Sequence, residues 1–449
     1  MYEDSGYIEY ICGKLLKNNK IEPELYNQYR VKRGLRNDDG SGVMAGITNI
    51  CNVHGYVMDE GEKRSIEGEL IYRGYSVDSI VDSVVSDKRY GFEEIVYLLL
   101  LGELPNAEDF AKFKALLAKK RELPSDFAED MIFKAPSPNI MNKMSRSVLA
   151  LYSYDEMAED GSIESEIDKA ISLIARLPVI MVNAYMVKRR HYDHDSLIVH
   201  PLREEENTAQ TILSMLRADR QYTEEEAKLL DLMLMLHAEH GGGNNSTFTC
   251  RVLTSAGTDA YSAYAGAIGS LKGHRHGGAN IKVMQMIENI EKNVKNWENE
   301  GEVADYLRGI LDKRENDMSG LIYGMGHAVY TISDPRAKIL KKNAMRLAEG
   351  KEIEAEFRLL DTVERLTPIL MAERGNKKTV CANVDLYSGL VYRMLGIPTE
   401  LYTPLFAVSR MAGWSAHRLE EMLTGKRIIR PAYKAIAKTR DYVGIDDRK

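Results

Sequence analysis

Five of the ten histidines fall between His237 and His327, in three short motifs that each set a histidine beside glycines. They are His237-Ala238-Glu239-His240-Gly241-Gly242-Gly243-Asn244-Asn245-Ser246, Gly273-His274-Arg275-His276-Gly277-Gly278, and Gly324-Met325-Gly326-His327-Ala328-Val329-Tyr330. Histidine titrates near neutral pH and serves as acid, base or ligand. Glycine at a helix end lets backbone approach a ligand closely and leaves free peptide groups facing it. Arginines supply the other half: Arg336 follows His327 by nine residues, Arg410 ends Phe406-Ala407-Val408-Ser409-Arg410, and Arg430 precedes Pro431. One acid, Asp385, stands in Asn383-Val384-Asp385-Leu386. Taken singly, each arginine reads as a surface or structural residue. Taken together, the set suits a substrate with two carboxylates, because guanidinium forks bind carboxylates in pairs while the acid and histidines move protons.

Other chemistries fit less well. His237 and His240 share a helix face next to Glu239, but the H-E-x-x-H spacing of zinc proteases is absent. His191, Asp193, His194 and His200 make a second polar cluster with no recognised ligand pattern, so no metal is expected. Gly324-Met325-Gly326 begins a G-x-G-x-x-G, yet the third glycine is missing and no strand precedes it. No P-loop and no G-x-S-x-G nucleophile elbow occurs.

The elements that must position these residues are mostly helices. Thr223-Glu224-Glu225-Glu226 is a capping box that opens an apolar stretch running to His240, and Gly241 to Gly243 stop it. Asp334-Pro335 sets a cap residue before a proline at the first helical position. Leu395-Gly396-Ile397-Pro398 is a stop. Strand alternation is confined to Val43–Val57 and Ser65–Arg73, which predict a small N-terminal ribbon. The class is all-α, with about fifteen to twenty helices at typical lengths. Loops are expected at Asp155–Ser162 and Arg203–Asn207, and no repeat of solenoid period stands out.

A chain of 449 residues exceeds what one hydrophobic core supports, so at least two packed units are expected. Hydrophobic residues make up 44% and charged residues 28%, which excludes disorder and collagen. The longest unbroken apolar run, Ile95–Leu101, is far short of a membrane span. A net charge of −7 argues against broad binding to nucleic acid or anionic lipid. The cluster Arg30, Lys32, Arg33 and Arg36 reads first as solvated surface, with a phosphate contact as the alternative. Cys12, Cys51, Cys250 and Cys381 lie far apart with no CxxC pair, as expected of reduced thiols in the cytoplasm. The start of the sequence is acidic and carries no recognisable secretory or transit signal.

Six blocks in order make the chain recognisable: those around His240, His276, His327, Asp385, Arg410 and Arg430. With Gly46-Ile47-Thr48, Tyr72-Arg73-Gly74-Tyr75 and Leu98–Pro105 before them, they resemble the citrate synthase family along nearly the whole length. The resemblance implies a helical homodimer. It implies a large domain of residues 1–276 and 386–449, with 1–40 as an extension, and a small domain of residues 277–385 closing over a cleft. The implied reaction condenses acetyl-CoA with oxaloacetate and hydrolyses citryl-CoA, with no permanently bound cofactor. Asp385 resembles the base, His276 the histidine that hydrogen-bonds the forming enol, and His327 the histidine that polarises the ketone. His240, Arg336 and Arg410 resemble the carboxylate clamp, with Arg430 reaching in from the partner subunit. Gly324, Met325 and Gly326 resemble the loop that receives adenine.

The chain departs from the family pattern in three places. His274 and Arg275 replace a frequent Gly-Pro-Leu, Asn139-Ile140-Met141 replaces His-Pro-Met, and Thr331 and Ile332 stand where relatives carry basic residues near the CoA phosphates. Arg275 or Lys338 could take over those phosphates. A 2-methylcitrate synthase using propionyl-CoA would show the same residues. An inactive helical scaffold should have broken His276, His327 or Asp385, and all three are intact; a metallohydrolase is the remaining alternative.

Overall fold

The computed structural model describes residues 5–59, 62–376 and 379–448. The chain divides into two compact units, residues 1–46 with 429–449 and residues 47–428. The domain boundaries expected at 276/277 and 385/386 both fall inside the second unit.

In the first unit, helix Ser5–Asn18 is followed by the short helix Glu24–Gln28. The basic cluster is engaged locally: Lys32 pairs with Asp38 at 3.0 Å, the Arg33 guanidinium lies 4.4 Å from the Tyr26 ring, and Arg36 donates to the Gly40 carbonyl. Tyr7, Ile8, Leu15 and Leu16 are exposed apolar side chains on the first helix.

The second unit is helical, as expected, with one small sheet. Among the described residues the chain forms seventeen α-helices and three strands. β1 (Cys51–Asp59) pairs antiparallel with β2 (Glu62–Tyr72), and β2 with β3 (Tyr75–Ser76). The ribbon starts at Cys51, eight residues later than the alternation suggested, and its register shifts between His54 and Tyr56. It serves as a shelf for the segment after His327. A Cβ on Gly68 would stand 2.1 Å from the Ser333 carbonyl oxygen, and one on Gly55 would stand 2.9 Å from that of Val329. Only glycine allows that approach.

The predicted caps form. Thr223 and Glu226 satisfy each other's backbone donors at the start of helix Glu224–His237, which ends three residues before His240. Asp334 accepts the Arg336 N–H ahead of Pro335 in helix Pro335–Ala348. Asn139 finds a structural use as the cap of helix Ile140–Leu151, accepting the Asn142 N–H at 2.8 Å.

The core runs along two long helices. Ile163–Tyr192 is long and apolar enough to cross a membrane, but 94% of its most apolar window is buried inside the protein. It therefore reads as a core helix, and no other described helix meets that length and apolarity. It packs on Tyr402–Thr424, and the contact includes a buried ion pair in which Arg418 Nε meets Glu166 Oε2 at 2.7 Å. Both helices are buried over most of their length, charged residues such as Glu166, Lys169, Arg410 and Arg418 included.

Substituting Gly68 by alanine should force the ribbon off the 329–333 segment. The expected loss is about 1–3 kcal/mol of stability, the usual range for overpacking against a fixed neighbour. Urea unfolding of Gly68→Ala measures it.

Candidate active site

Six of the seven predicted side chains converge. His240, His276, His327, Arg336, Asp385 and Arg410 line one cavity of about 150 Å³, together with Asn244, Asn280, Asn383, Tyr402, Thr403 and Phe406. They come from separate elements: a loop after one helix, the N-terminal first turns of two more, the middle of Tyr402–Thr424, and two glycine loops. The cavity is smaller than the roughly 300–1,000 Å³ of drug-sized ligand sites, so it fits a small molecule or the reacting end of a larger one. A larger cavity of about 560 Å³, lined by Val84, Lys88, Lys228 and Arg346 among others, contains none of these residues. Arg430 lies in the first unit, exposed, and is not among the residues lining the cavity.

Two arginines set the charge of the site. Arg336 is buried and gripped by Asp334, with Nε to Oδ1 at 3.1 Å and Nη2 to Oδ2 at 2.7 Å. Burial alone would loosen its proton, but Asp334 more than offsets that and holds the guanidinium above its ordinary range. Arg410 is fully buried, donates Nε–H to the His237 carbonyl at 2.7 Å and lies 4.7 Å from the Phe406 ring. Its Nη1 is buried without a hydrogen-bond partner among the described residues, and so is His240 Nε2. A buried donor left unmatched is costly, on the order of 1–3 kcal/mol and more for a charged group. The Arg410 donor, on the cavity wall that His240 also lines, is what an acceptor-rich ligand such as a carboxylate would satisfy.

The histidines have defined tautomers. Ser246 turns its backbone N–H (3.4 Å) and its Oγ (3.1 Å) toward His276 Nε2. An N–H can only donate, so Nε2 accepts and the neutral ring carries its proton on Nδ1. Ser246 is itself fixed, receiving the Trp414 indole N–H at 3.2 Å and lying 2.9 Å from Asn244 Oδ1. His327 has the opposite arrangement: its Nδ1 accepts the N–H groups of Val329 and Tyr330, both at 3.0 Å, which leaves the proton on Nε2. Its ring stacks on Tyr330 at 4.5 Å and meets His240 edge-on at 5.1 Å.

Burial first, then the nearby arginines, keeps these rings uncharged. Burial and Arg410 lower His276 to about 4, and burial and Arg336 lower His327 to about 4. His240 is held well below its ordinary value by burial, Arg336 and His327. Asp385, the first residue of helix Asp385–Met394, moves the other way: burial pushes it up to about 6, against the pull of Arg336 and Arg410. Its backbone N–H is held by Asn383 Oδ1 at 3.0 Å, and Asn383 Nδ2 donates to the Gly326 carbonyl at 2.8 Å. The Gly324–Gly326 loop and the 381–385 segment are thus laced together, with Gly326 N–H on the Cys381 carbonyl at 2.7 Å and Asn383 N–H on that of Gly324 at 2.9 Å.

The arrangement holds two neutral histidines as hydrogen-bond donors, a carboxyl poised near neutrality as a base, and two cations for anionic groups. Neither metal-like cluster reads as a ligand set. His237 donates Nδ1–H to the Met233 carbonyl, His200 meets the Arg217 carbonyl, and Asp193 pairs with Lys188. No group of three His, Cys, Asp or Glu side chains among the described residues could hold a metal ion. Of the cations considered for phosphates, Lys338 pairs with Glu67 at 2.5 Å, while Arg275 is exposed. Asn244 and Ser246 stand in a motif singled out from the sequence, but nothing there linked them to His276. Asp334 was legible only as a cap.

The fold and site together define an all-α protein with one small cavity that gathers two arginines, three histidines and a carboxyl. The family model for the citrate synthase C-terminal domain matches residues 39–432. A citrate synthase of Haloferax volcanii is 34% identical over 388 residues, 85% of this chain and 93% of that one. A 2-methylcitrate synthase of Shewanella oneidensis is 33% identical over 380 residues, 85% and 90% of the two chains. The citrate synthase of Thermoplasma acidophilum, solved as a ternary complex with carboxymethyl coenzyme A and oxaloacetate, superposes with a TM-score of 0.73 at 27% identity, covering 93% of this chain and 99% of that one. The chain belongs to the citrate synthase family and, with it, to the condensing transferases.

Asp334→Ala strips a buried guanidinium of its counter-charge. Breaking one side of a buried pair typically costs about 3–5 kcal/mol, so a loss of that size is expected in denaturant unfolding.

Proposed function

We propose that the protein is a citrate synthase that condenses acetyl-CoA with oxaloacetate and water to give citrate and CoA. The observation that carries this reading is the convergence of a base, two oppositely protonated neutral histidines and two buried arginines on one small cavity. Oxaloacetate carries two carboxylates, for which Arg336, Arg410 and His240 are the receptors. Its ketone lies with His327, whose Nε2–H donates to the oxygen and strengthens that bond as negative charge grows during attack. Asp385 takes a methyl proton from the thioester, and at neutral pH a carboxyl of pKa about 6 is ionised yet still basic enough to accept it. His276 donates Nδ1–H to the thioester oxygen as it becomes an enol. A donor preorganised in this way is typically worth about 3–4 kcal/mol at the transition state. Water then hydrolyses citryl-CoA. Side chains supply every proton and every polarising group, so the reaction needs no resident cofactor and takes acetyl-CoA as co-substrate.

The remaining assignments belong to the same proposal. Gly324, Met325 and Gly326 receive the CoA adenine, and residues 277–385 close over residues 1–276 and 386–449 to exclude water from the enol. Arg430 completes the carboxylate clamp of a second subunit, which makes the protein a homodimer. Its exposure supports that role, as do the exposed apolar side chains of helix Ser5–Asn18. A cytoplasmic location accords with the buried free thiols Cys250 and Cys381.

The 2-methylcitrate synthase of Shewanella oneidensis, 33% identical, keeps propionyl-CoA in view as the donor. One methylene changes selectivity by only about 1–3 kcal/mol, so turnover decides it. Acetyl-CoA is expected to give the higher kcat/KM with oxaloacetate; a higher value with propionyl-CoA would reassign the enzyme to 2-methylcitrate. Asp385→Asn should lower condensation by about 10²–10⁴-fold, as for a lost general base, while oxaloacetate still binds. If neither donor condenses, or if Asp385→Asn retains more than about a tenth of turnover with chemistry limiting the rate, the mechanism fails.

A further inference from the structure

His417 and Arg251 have no part in the chemistry above, yet they form a buried chain that ends on the carboxylate next to His240. Glu239 is wholly buried, and its Oε1 accepts the Gly241 N–H at 2.6 Å and lies 2.9 Å from His417 Nε2. His417 is also wholly buried, and its Nδ1 is faced by Arg251 through Nε at 3.1 Å and Nη2 at 2.6 Å. A guanidinium cannot accept a hydrogen bond, so Nδ1 must. The His417 proton therefore sits on Nε2 and is donated to Glu239. Arg251 is braced in turn by Glu421 Oε2 at 2.8 Å and by Glu420, which also takes the Asn49 N–H at 2.8 Å.

The chain meets the carboxylate-binding wall at Glu239. Both donors act on Oε1, and Oε2 has no hydrogen-bond partner among the described residues. Glu239 presses on helix Tyr402–Thr424 at Gly413, where a Cβ would stand 2.1 Å from Oε2 and 2.5 Å from the Ala238 carbonyl oxygen. Arg410 lies one turn earlier on that helix. Burial pushes the Glu239 carboxyl up, but His417, Arg410 and the Gly241 N–H outweigh it and hold the group below the usual carboxylate range. Glu239 and Arg410 act on each other's charge, yet no ion pair joins them among the described residues.

We propose that Glu239, held by His417 and through it by Arg251, is a positioning residue for the carboxylate clamp. Its two bonds at Oε1 shape the Gly241 turn that immediately follows His240. They also keep the carboxylate from rotating onto Arg410, so Arg410 Nη1 stays available to a substrate carboxylate while its charge is balanced from behind. Without the His417 bond, Glu239 turns and occupies that guanidinium itself. This inference rests on the oxaloacetate reading of the cavity.

The test compares His417→Leu, which fills the space without a donor, with His417→Gln, whose amide nitrogen reaches the position of Nε2. Oxaloacetate affinity is measured by calorimetry, and KM for each substrate and kcat by steady-state kinetics. His417→Leu should raise the oxaloacetate Kd and KM by about tenfold or more, the scale of one hydrogen bond to a charged group, with the acetyl-CoA KM within about threefold. His417→Gln should return the oxaloacetate values to within about threefold of wild type. Should His417→Leu fail to fold, Arg251→Gln must show the same one-sided rise at smaller size. A folded His417→Leu or Arg251→Gln protein with wild-type oxaloacetate affinity overturns the inference, as does a rise shared equally by both KM values. If the wild-type protein binds no oxaloacetate, it is the proposed function that falls.

Discussion

Two guanidinium groups buried in the wall of one small cavity are the constraint around which the other site residues are arranged. Desolvating a cation costs several kcal/mol even after the protein relaxes, so each must be compensated locally. Arg336 is compensated by Asp334 through a two-point grip, and Arg410 by the His237 carbonyl, the Phe406 ring and the nearby Glu239. The same positive field reaches outward. Together with burial it keeps His240, His276 and His327 uncharged, and it draws Asp385 back from the still higher value that burial alone would give. The protonation pattern that the proposed proton abstraction requires, with neutral donors beside an ionised base, follows from how these charges are buried.

The fold meets this constraint by bringing helix ends and loops to one place. Helix Tyr402–Thr424 carries Arg410 near its middle, and Trp414, four residues on, reaches Ser246, which orients His276. The ribbon of β1 and β2 supports the segment after His327 through the close approach at Gly68. Asn383 ties the Gly324–Gly326 loop to the start of the helix that begins with Asp385. His276 is thus fixed by Ser246, a distant part of the chain, whereas His327 and Asp385 are held by neighbours two or three residues away.

That division explains what could be read from the sequence. Caps such as Thr223–Glu226 and Asp334–Pro335 are local, and both were legible, as were the helical class and the residues His240, His276, His327, Asp385, Arg336 and Arg410. The ribbon was legible in kind but not in extent, because residues 43–50 form no strand ladder among the described residues. The depth of helix Ile163–Tyr192 was obscured by its scattered charges, which a search for unbroken apolar runs passes over. Partners separated by long stretches of chain left no signal: Ser246 with Trp414, Arg251 with His417, and Lys338 with Glu67. Asp334 shows the same limit in another form, since one side chain both caps a helix and neutralises an arginine, and only the first use has a sequence pattern.

The central claim is that His276 and His327 are neutral and oppositely protonated at working pH. Nitrogen NMR of the histidine-labelled protein reads both properties directly, with His276→Gln and His327→Gln variants assigning the signals. The expected result is a proton on Nδ1 of His276 and on Nε2 of His327, with neither ring becoming an imidazolium between pH 8 and about pH 5, since both pKa values lie near 4. An imidazolium signal from either residue at pH 6 to 7, or the same tautomer in both, would contradict the account.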